Sequence, residues 1–172
     1  MIASMSELRQ HIREIPDFPH PGILFRDIAP LLRNHFVATV TALNALLTEE
    51  EWSEVDAVAG IEARGFILAS ALADRRAKGF VPIRKEGKLP PPVVRLAYDL
   101  EYGNAALEMA NGKGRLVIVD DVFATGGTMT AAAKLAAETG YEVVALVSLL
   151  DLNLAPAFEW NGLEIRSLVK YD

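Results

Sequence analysis

The run Leu116-Val-Ile-Val-Asp120-Asp121-Val-Phe-Ala124-Thr125-Gly126-Gly127-Thr128 puts two carboxylates at the end of an apolar strand and a glycine pair at the mouth of a helix. Adjacent glycines let a backbone take positive φ and approach an anion with no Cβ in the way. The N–H groups of Ala124 to Thr128 can then converge on one phosphate, helped by the positive end of the helix that follows. Thr125 and Thr128 add hydroxyl donors. Asp120 and Asp121 only accept hydrogen bonds when ionised, which suits ribose hydroxyls and a hydrated Mg²⁺. The loop is neither G-x-x-x-x-G-K-[ST] nor G-x-G-x-x-G. A plain strand–turn–helix would account for a glycine pair alone. It does not account for two adjacent acids followed by Thr-Gly-Gly-Thr.

Three further groups carry charge in places where strands end. Gly60-Ile-Glu62-Ala-Arg64-Gly65-Phe66 holds an arginine whose guanidinium can fork onto phosphate oxygens. The plainer reading is a surface arginine pairing with Glu62. Arg84, Lys85 and Lys88 form a second cationic group, against the plainer reading of a solvated face that suits Arg75, Arg76 and Lys78. Glu101 and Tyr102 lie in a segment that reads as a hairpin, where an acid is by default a surface charge. His11, His20 and His35 lack metal-ligand spacing and read as surface or loop residues, and Trp52 and Trp160 read as packing residues.

The elements that position these residues alternate. Val55 to Gly60, Phe80 to Arg84, Arg115 to Val119, Glu142 to Leu150 and Leu163 to Val169 read as strands. Phe36 to Leu47, Phe66 to Ala77 and Thr128 to Thr139 read as helices, the last closed by Gly140. Buried strands separated by helices predict an α/β fold with a mostly parallel central sheet flanked by helices. Ligands in such sheets bind beyond the carboxyl ends of the strands. Ser6 to Glu14 reads as a short helix that Pro16 stops, and Ile15 to Ile28 as an irregular stretch. Val93 to Tyr98 and Ala105 to Met109 read as a flap standing apart from the sheet.

Composition narrows the classes. The 172 residues are half apolar and suit one domain with a real core. Zero cysteines exclude disulfides and thiolate catalysis and fit a reducing, cytoplasmic setting. The first ten residues lack a signal-peptide core, and no apolar run reaches the roughly 20 residues that cross a bilayer. A net charge of −6 argues against nucleic-acid binding, so an anionic ligand must be held by a local cluster.

The Val119 to Thr128 run resembles the signature of type I phosphoribosyltransferases, which bind phosphoribosyl pyrophosphate (PRPP). Four more blocks, Ile15 to Ile28, Gly60 to Phe66, Pro82 to Pro90 and Tyr98 to Gly103, resemble the adenine-using members of that family, in family order. The resemblance implies one domain over residues 1–172, with a hood from 15–35 and a flexible flap at about 86–111. It implies purine salvage: transfer of the 5-phosphoribosyl group of PRPP to adenine, giving AMP and pyrophosphate, with Mg²⁺ bound mainly through PRPP near Asp120 and Asp121. On this likeness Asp120 and Asp121 hold the ribose, and Ala124, Thr125, Gly126, Gly127 and Thr128 cradle the 5-phosphate. Arg64, Arg84, Lys85 and Lys88 meet pyrophosphate, and Tyr102 belongs to the PRPP and AMP site. Glu101 lies near N7 of the purine as an acid/base group, and Ile23, Leu24, Phe25 and Arg26 surround adenine. It also implies a strained or cis peptide near Glu62-Ala63.

Departures from the family pattern are few. Pro90-Pro91-Pro92 stiffens the entry to the flap, Ala97 stands where a hydroxyl residue is usual, and Phe123 replaces a leucine. A phosphoribosyltransferase for another base, or a PRPP-binding regulator without turnover, remain the alternatives. The family usually forms homodimers, and Arg26 to Leu32 mixes apolar and charged residues in a way that suits an interface.

Overall fold

The computed structural model describes residues 5–100 and 103–172. In chain order the elements are α1 (Met5–Arg9), β1 (Arg13–Pro16), β2 (Leu24–Asp27), α2 (Ala29–Asn34), α3 (Phe36–Asn44), α4 (Glu49–Ser53), β3 (Ala57–Ile61) and α5 (Arg64–Arg75). They continue with β4 (Gly79–Lys85), β5 (Val94–Leu100), β6 (Gly103–Met109), β7 (Gly114–Phe123), α6 (Gly127–Glu138), β8 (Tyr141–Asp151), β9 (Glu159–Trp160) and β10 (Leu163–Lys170).

Eight strands form one sheet in the order β5-β6-β4-β3-β7-β8-β10-β9. Its centre is parallel, from β4 through β3, β7 and β8 to β10. Apolar residues two apart on β7 divide between the faces, as the strand period demands. Val117 and Val119 join a core with α3 and α5 residues such as Leu43, Leu68 and Leu72. Leu116 and Ile118 join a second core with Met129, Ala132 and Leu135 of α6. The helix after β3 and the helix after β7 therefore cover opposite faces. Their chains diverge between two neighbouring parallel strands, which opens a crevice at the carboxyl ends of β3 and β7.

Three expectations change. Residues 6–14 do not make one helix. A helix this short gains little over its nucleation cost, and the chain instead enters β1, which pairs with β2 from Arg13↔Asp27 to Pro16↔Leu24. An Arg13–Asp27 ion pair at 2.5 Å pins that register. The irregular stretch is thus a two-stranded hairpin.

The flap does not stand apart from the sheet. β6 pairs antiparallel with the open edge of β4 through Arg84↔Glu108 and Lys85↔Leu107, and β5 pairs along β6. Leu107 and Met109 are buried at its root, so apolar burial draws the hairpin into the fold. Val94, Leu96 and Tyr98 of β5 pack against the α6 core.

β7 does not end at its aspartates either. It runs on to Phe123, pairing Asp120↔Ser148 and Phe123↔Asp151 with β8, whereas its β3 edge stops at Val119. Asp120 and Asp121 lie in a strand with one edge free.

Two short helices were also legible but unread. Thr48 caps α4 and Glu51 answers it, the reciprocal Thr-x-x-Glu pattern. Pro30 opens α2. Trp52 is buried, and its indole N–H donates to Asn44 O at 2.9 Å. His11 and His35 stack with ring centroids 3.6 Å apart, and His20 is exposed.

Candidate active site

The free edge of β7 faces the first turn of α5. That helix begins two residues earlier than its apolar spacing predicts, which brings Arg64 and Gly65 into its opening turn. A Cβ on Gly65 would stand 2.9 Å from Val119 O and 3.1 Å from Asp120 Oδ1. Only glycine lets the helix start this close to the acids. The preceding Glu62-Ala63 peptide is cis.

Asp120 and Asp121 are both buried. The Asp121 N–H donates to Asp120 Oδ1 at 2.8 Å. Arg64 Nε stands 2.7 Å from Asp121 Oδ2, yet that buried oxygen accepts no hydrogen bond. Burial pushes the Asp120 carboxyl well above its ordinary range, and the neighbouring Asp121 charge adds to the rise. Ionised together, the pair would carry more negative charge than one arginine balances. An unfilled acceptor beside two crowded carboxylates fits a hydrated divalent cation or a polyol.

β7 hands over to α6 through a short loop whose residue Gly126 caps the helix at φ 90°, in the left-handed region. A Cβ there would lie 2.7 Å from the Phe158 ring, and Phe158 in turn packs edge-on against Phe123 at 4.8 Å. The phenylalanine in the leucine position thus helps floor the loop. The loop exposes Thr125 and leaves Ala124, Gly127 and Thr128 half-buried, with the unsatisfied amides of a helix start at hand. The backbone carbonyl of Asp99 lies 3.5 Å from where a Gly127 Cβ would be. The β5–β6 hairpin therefore reaches over this loop.

The second cationic group is bonded to Glu62, in the loop that bears Arg64. Glu62 pairs with Arg84 at 3.2 Å and accepts the Lys85 N–H at 3.0 Å. The Lys85 amide, then Arg84, hold the Glu62 carboxyl below its ordinary value in spite of its burial. The expected plain partner of Arg64 is thus committed to Arg84, and Arg64 turns to Asp121 instead. Arg84 also donates to Lys88 O at 3.2 Å. The lysine side chains of 85 and 88 are exposed.

The segment read as surrounding a base is split in its roles. Phe25 lies under the Arg64 guanidinium at 5.2 Å and packs edge-on against Phe18. Ile23 spends its N–H on His20 and its carbonyl on Phe18 within the β1–β2 turn. Leu24 is exposed. The Arg26 side chain stacks at 4.3 Å on the Tyr171 ring, which Arg9 also approaches at 4.4 Å. The two-stranded sheet leaves β2 one edge without a strand partner. Glu101 and Tyr102 lie outside the described residues.

Among the described residues no group of three or more His, Cys, Asp or Glu could hold a metal ion by itself. The sequence reading missed Glu62 as the brace of Arg84 and missed Glu108, an acid between apolar Leu107 and Met109. A lone charge in a buried strand pattern was the available signal.

Comparison with known proteins shows the family of the whole chain. The phosphoribosyl transferase domain model matches residues 31–166. An adenine phosphoribosyltransferase of Hydrogenovibrio crunogenus is 52% identical over 166 residues, 96% of each chain. A crystal structure of the adenine phosphoribosyltransferase of Rhodothermus marinus aligns with a TM-score of 0.87 at 38% identity, covering 97% of this chain and 98% of that one. The Saccharomyces cerevisiae enzyme, complexed with an imino-altritol bisphosphate and adenine, aligns with a TM-score of 0.85 at 31% identity, covering 95% and 97%.

Proposed function

The chain belongs to the adenine phosphoribosyltransferases and transfers the 5-phosphoribosyl group of PRPP to adenine, and we propose that the crevice between β3 and β7 carries the reaction. The single observation that carries the site assignment is the buried Asp120–Asp121 pair facing Arg64, beside a glycine loop that opens α6. In the reaction N9 of adenine bonds to C1 of the ribose, the C1–oxygen bond to pyrophosphate breaks, and the base gives up one proton.

Asp120 and Asp121 accept the ribose hydroxyls. The amides of Ala124 to Thr128, with the Thr125 and Thr128 hydroxyls, hold the 5-phosphate at the α6 N-terminus. The departing oxygens gain charge as the sugar approaches an oxocarbenium ion, and Arg64, Arg84, Lys85 and Lys88 meet that charge. Asp120 and Asp121 would stand beside a Mg²⁺ held mainly through PRPP, which would supply further neutralisation of the pyrophosphate when bound. Phe25 provides an apolar face for adenine, and the free edge of β2 offers main-chain donors and acceptors that can read its 6-amino group. Glu101 serves the base as acid/base group, and Tyr102 serves the PRPP and AMP site. The hairpin reaching over Gly127 keeps water from the sugar.

A homodimer completes the reading. Ile28 and Leu31 are consumed by this chain's own core, so the Arg26 to Leu32 segment offers little apolar area. The face between α3 and α5, with Val37 and Ile67 exposed, is the better candidate for the contact. Among the described residues no helix is long and apolar enough to cross a membrane. A chain without cysteine loses nothing in a reducing cytoplasm, the proposed location.

The test is to incubate the protein with PRPP, Mg²⁺ and one base at a time, following nucleotide and pyrophosphate by chromatography. AMP from adenine, with little product from hypoxanthine, guanine, xanthine, orotate or uracil, is the expected result. Product from another base alone would overturn the adenine pocket but keep the PRPP site. Saturable PRPP binding without product would make the chain a regulator.

A further inference from the structure

Glu108 is the most deeply buried acid among the described residues, with no exposed surface. Strand register sets it opposite Arg84 on β4 and opposite Arg95 on β5. Its carboxylate accepts three successive main-chain N–H groups, from Gly87 at 3.0 Å, Lys88 at 2.6 Å and Leu89 at 2.5 Å. Arg95 Nε adds a fourth contact at 3.3 Å. Consecutive amides converging on one anion form a nest of the kind that loops use for phosphate. Here the anion comes from the protein itself.

The turn so held is the one that bears the lysines. Gly87 takes φ +80°, which L side chains rarely adopt, and the Glu86 N–H is tied to Ala106 O at 3.1 Å. From the other side Arg84 holds Lys88 O, and Glu62 holds Arg84. Two carboxylates thus clamp residues 84–89 between them. With the amides of residues 87–89 spent inward on Glu108 and that of Lys85 on Glu62, the Lys85 and Lys88 side chains are left exposed for an outside anion. An apolar residue would fill the same strand position at no desolvation cost, so a buried acid here needs a role in geometry.

We infer that Glu108 is a positioning residue, fixing the lysine-bearing turn against the β5–β6 hairpin in the geometry that receives pyrophosphate. The inference rests on the assignment of Lys85 and Lys88 to that anion. Burial raises the Glu108 carboxyl, but the three amides and Arg95 outweigh it and hold the group below its ordinary value. It is therefore ionised throughout the neutral range, as an acceptor of four donors must be.

The test is a double-mutant cycle between Glu108→Gln and Lys88→Ala, reading KM for PRPP, KM for adenine and inhibition by inorganic pyrophosphate. Glutamine turns an N–H donor toward the amide donors and cannot satisfy all three. Glu108→Gln should raise the PRPP KM and the pyrophosphate inhibition constant together by about 10-fold, with the adenine KM within about 2-fold. Lys88→Ala should then cost far less in the Glu108→Gln protein than in the native one. Should Glu108→Gln fail to fold, Glu108→Asp enters the same cycle, since it keeps the charge but withdraws it by one methylene. Equal losses for all three ligands, or an undiminished Lys88→Ala effect, would reduce Glu108 to a packing residue. If Lys88→Ala alone leaves PRPP and pyrophosphate untouched, the lysine assignment fails first and takes this inference with it.

Discussion

Arg64 and Asp121 face each other at 2.7 Å across the gap between the first turn of α5 and the free edge of β7. The guanidinium N–H is not aimed at the buried carboxylate oxygen, which accepts no hydrogen bond. The attraction is charge to charge, with both groups still able to engage a ligand. On the proposed reading, a pyrophosphate drawing Arg64 away would leave Asp121 to the ribose, so one side chain would couple the pyrophosphate and ribose parts of PRPP.

Arg64→Ala should therefore weaken both PRPP and pyrophosphate. The expected loss is about 10- to 100-fold in each, equivalent to roughly 1.4–2.8 kcal/mol. Steady-state kinetics with pyrophosphate as product inhibitor measures it. An unchanged inhibition constant would remove Arg64 from the pyrophosphate site.

Asp120 carries the clearest pH consequence. Its folded-state pKa is raised by burial and by Asp121, so the folded chain binds more protons than the unfolded one above the ordinary aspartate range. Stability from this group thus falls as pH rises from that range through the raised value. Asp120→Asn should raise the melting temperature at neutral pH, by on the order of 1 kcal/mol or about 2–4 °C. The same change should abolish saturable PRPP binding. PRPP uptake by the native chain should also release protons, visible by calorimetry in buffers of different ionisation enthalpy. A melting temperature unchanged or lowered would contradict the crowding argument.

Glu101→Gln separates chemistry from binding. Turnover should drop by roughly 10²–10³, the scale of a lost general acid/base, while the PRPP KM stays within about 3-fold. Full turnover in this variant would remove the acid/base assignment and leave the family membership intact.

Glu51 tests the scaffold rather than the site. It closes the Thr48 capping box and takes both Arg166 nitrogens, at 2.6 and 2.8 Å. Arg166, then the Thr48 N–H, lower its carboxyl from 4.5 to about 2. A depressed folded pKa stabilises above the unfolded value and loses that contribution as pH falls from about 4.5 toward about 2. Glu51→Ala should lose about 1–2 kcal/mol at pH 7, a difference that shrinks in urea titrations run progressively below pH 4.5. A deficit independent of pH would point to lost packing.

Local chemistry made much of this chain legible as sequence. Asp120, Asp121 and the Thr125-Gly126-Gly127-Thr128 loop declare themselves because anion binding at a helix start needs small residues and donors in one short stretch. The unbroken apolar run of Leu116 to Val119 likewise declares a strand buried on both faces, as it is. Five parallel central strands follow from that pattern repeated between helices.

Partnerships across the chain were decided only in three dimensions. Arg64 had Glu62 two residues away, yet the fold gives Glu62 to Arg84 and Arg64 to Asp121. Arg26 lies in the segment expected beside a base, and its side chain goes to Tyr171, near the other end of the sequence. As sequence the hairpin looks free-standing, because its polar residues outweigh Leu107 and Met109 in any local window. Its root is held by the open edge of β4, a strand some 20 residues earlier. Glu108 is the limiting case. As sequence it is a charge misplaced in an apolar strand; folded, it is the anion around which residues 87–89 close. Charges and amides choose partners by distance and desolvation once the strands are in register, and neither quantity exists along the chain alone.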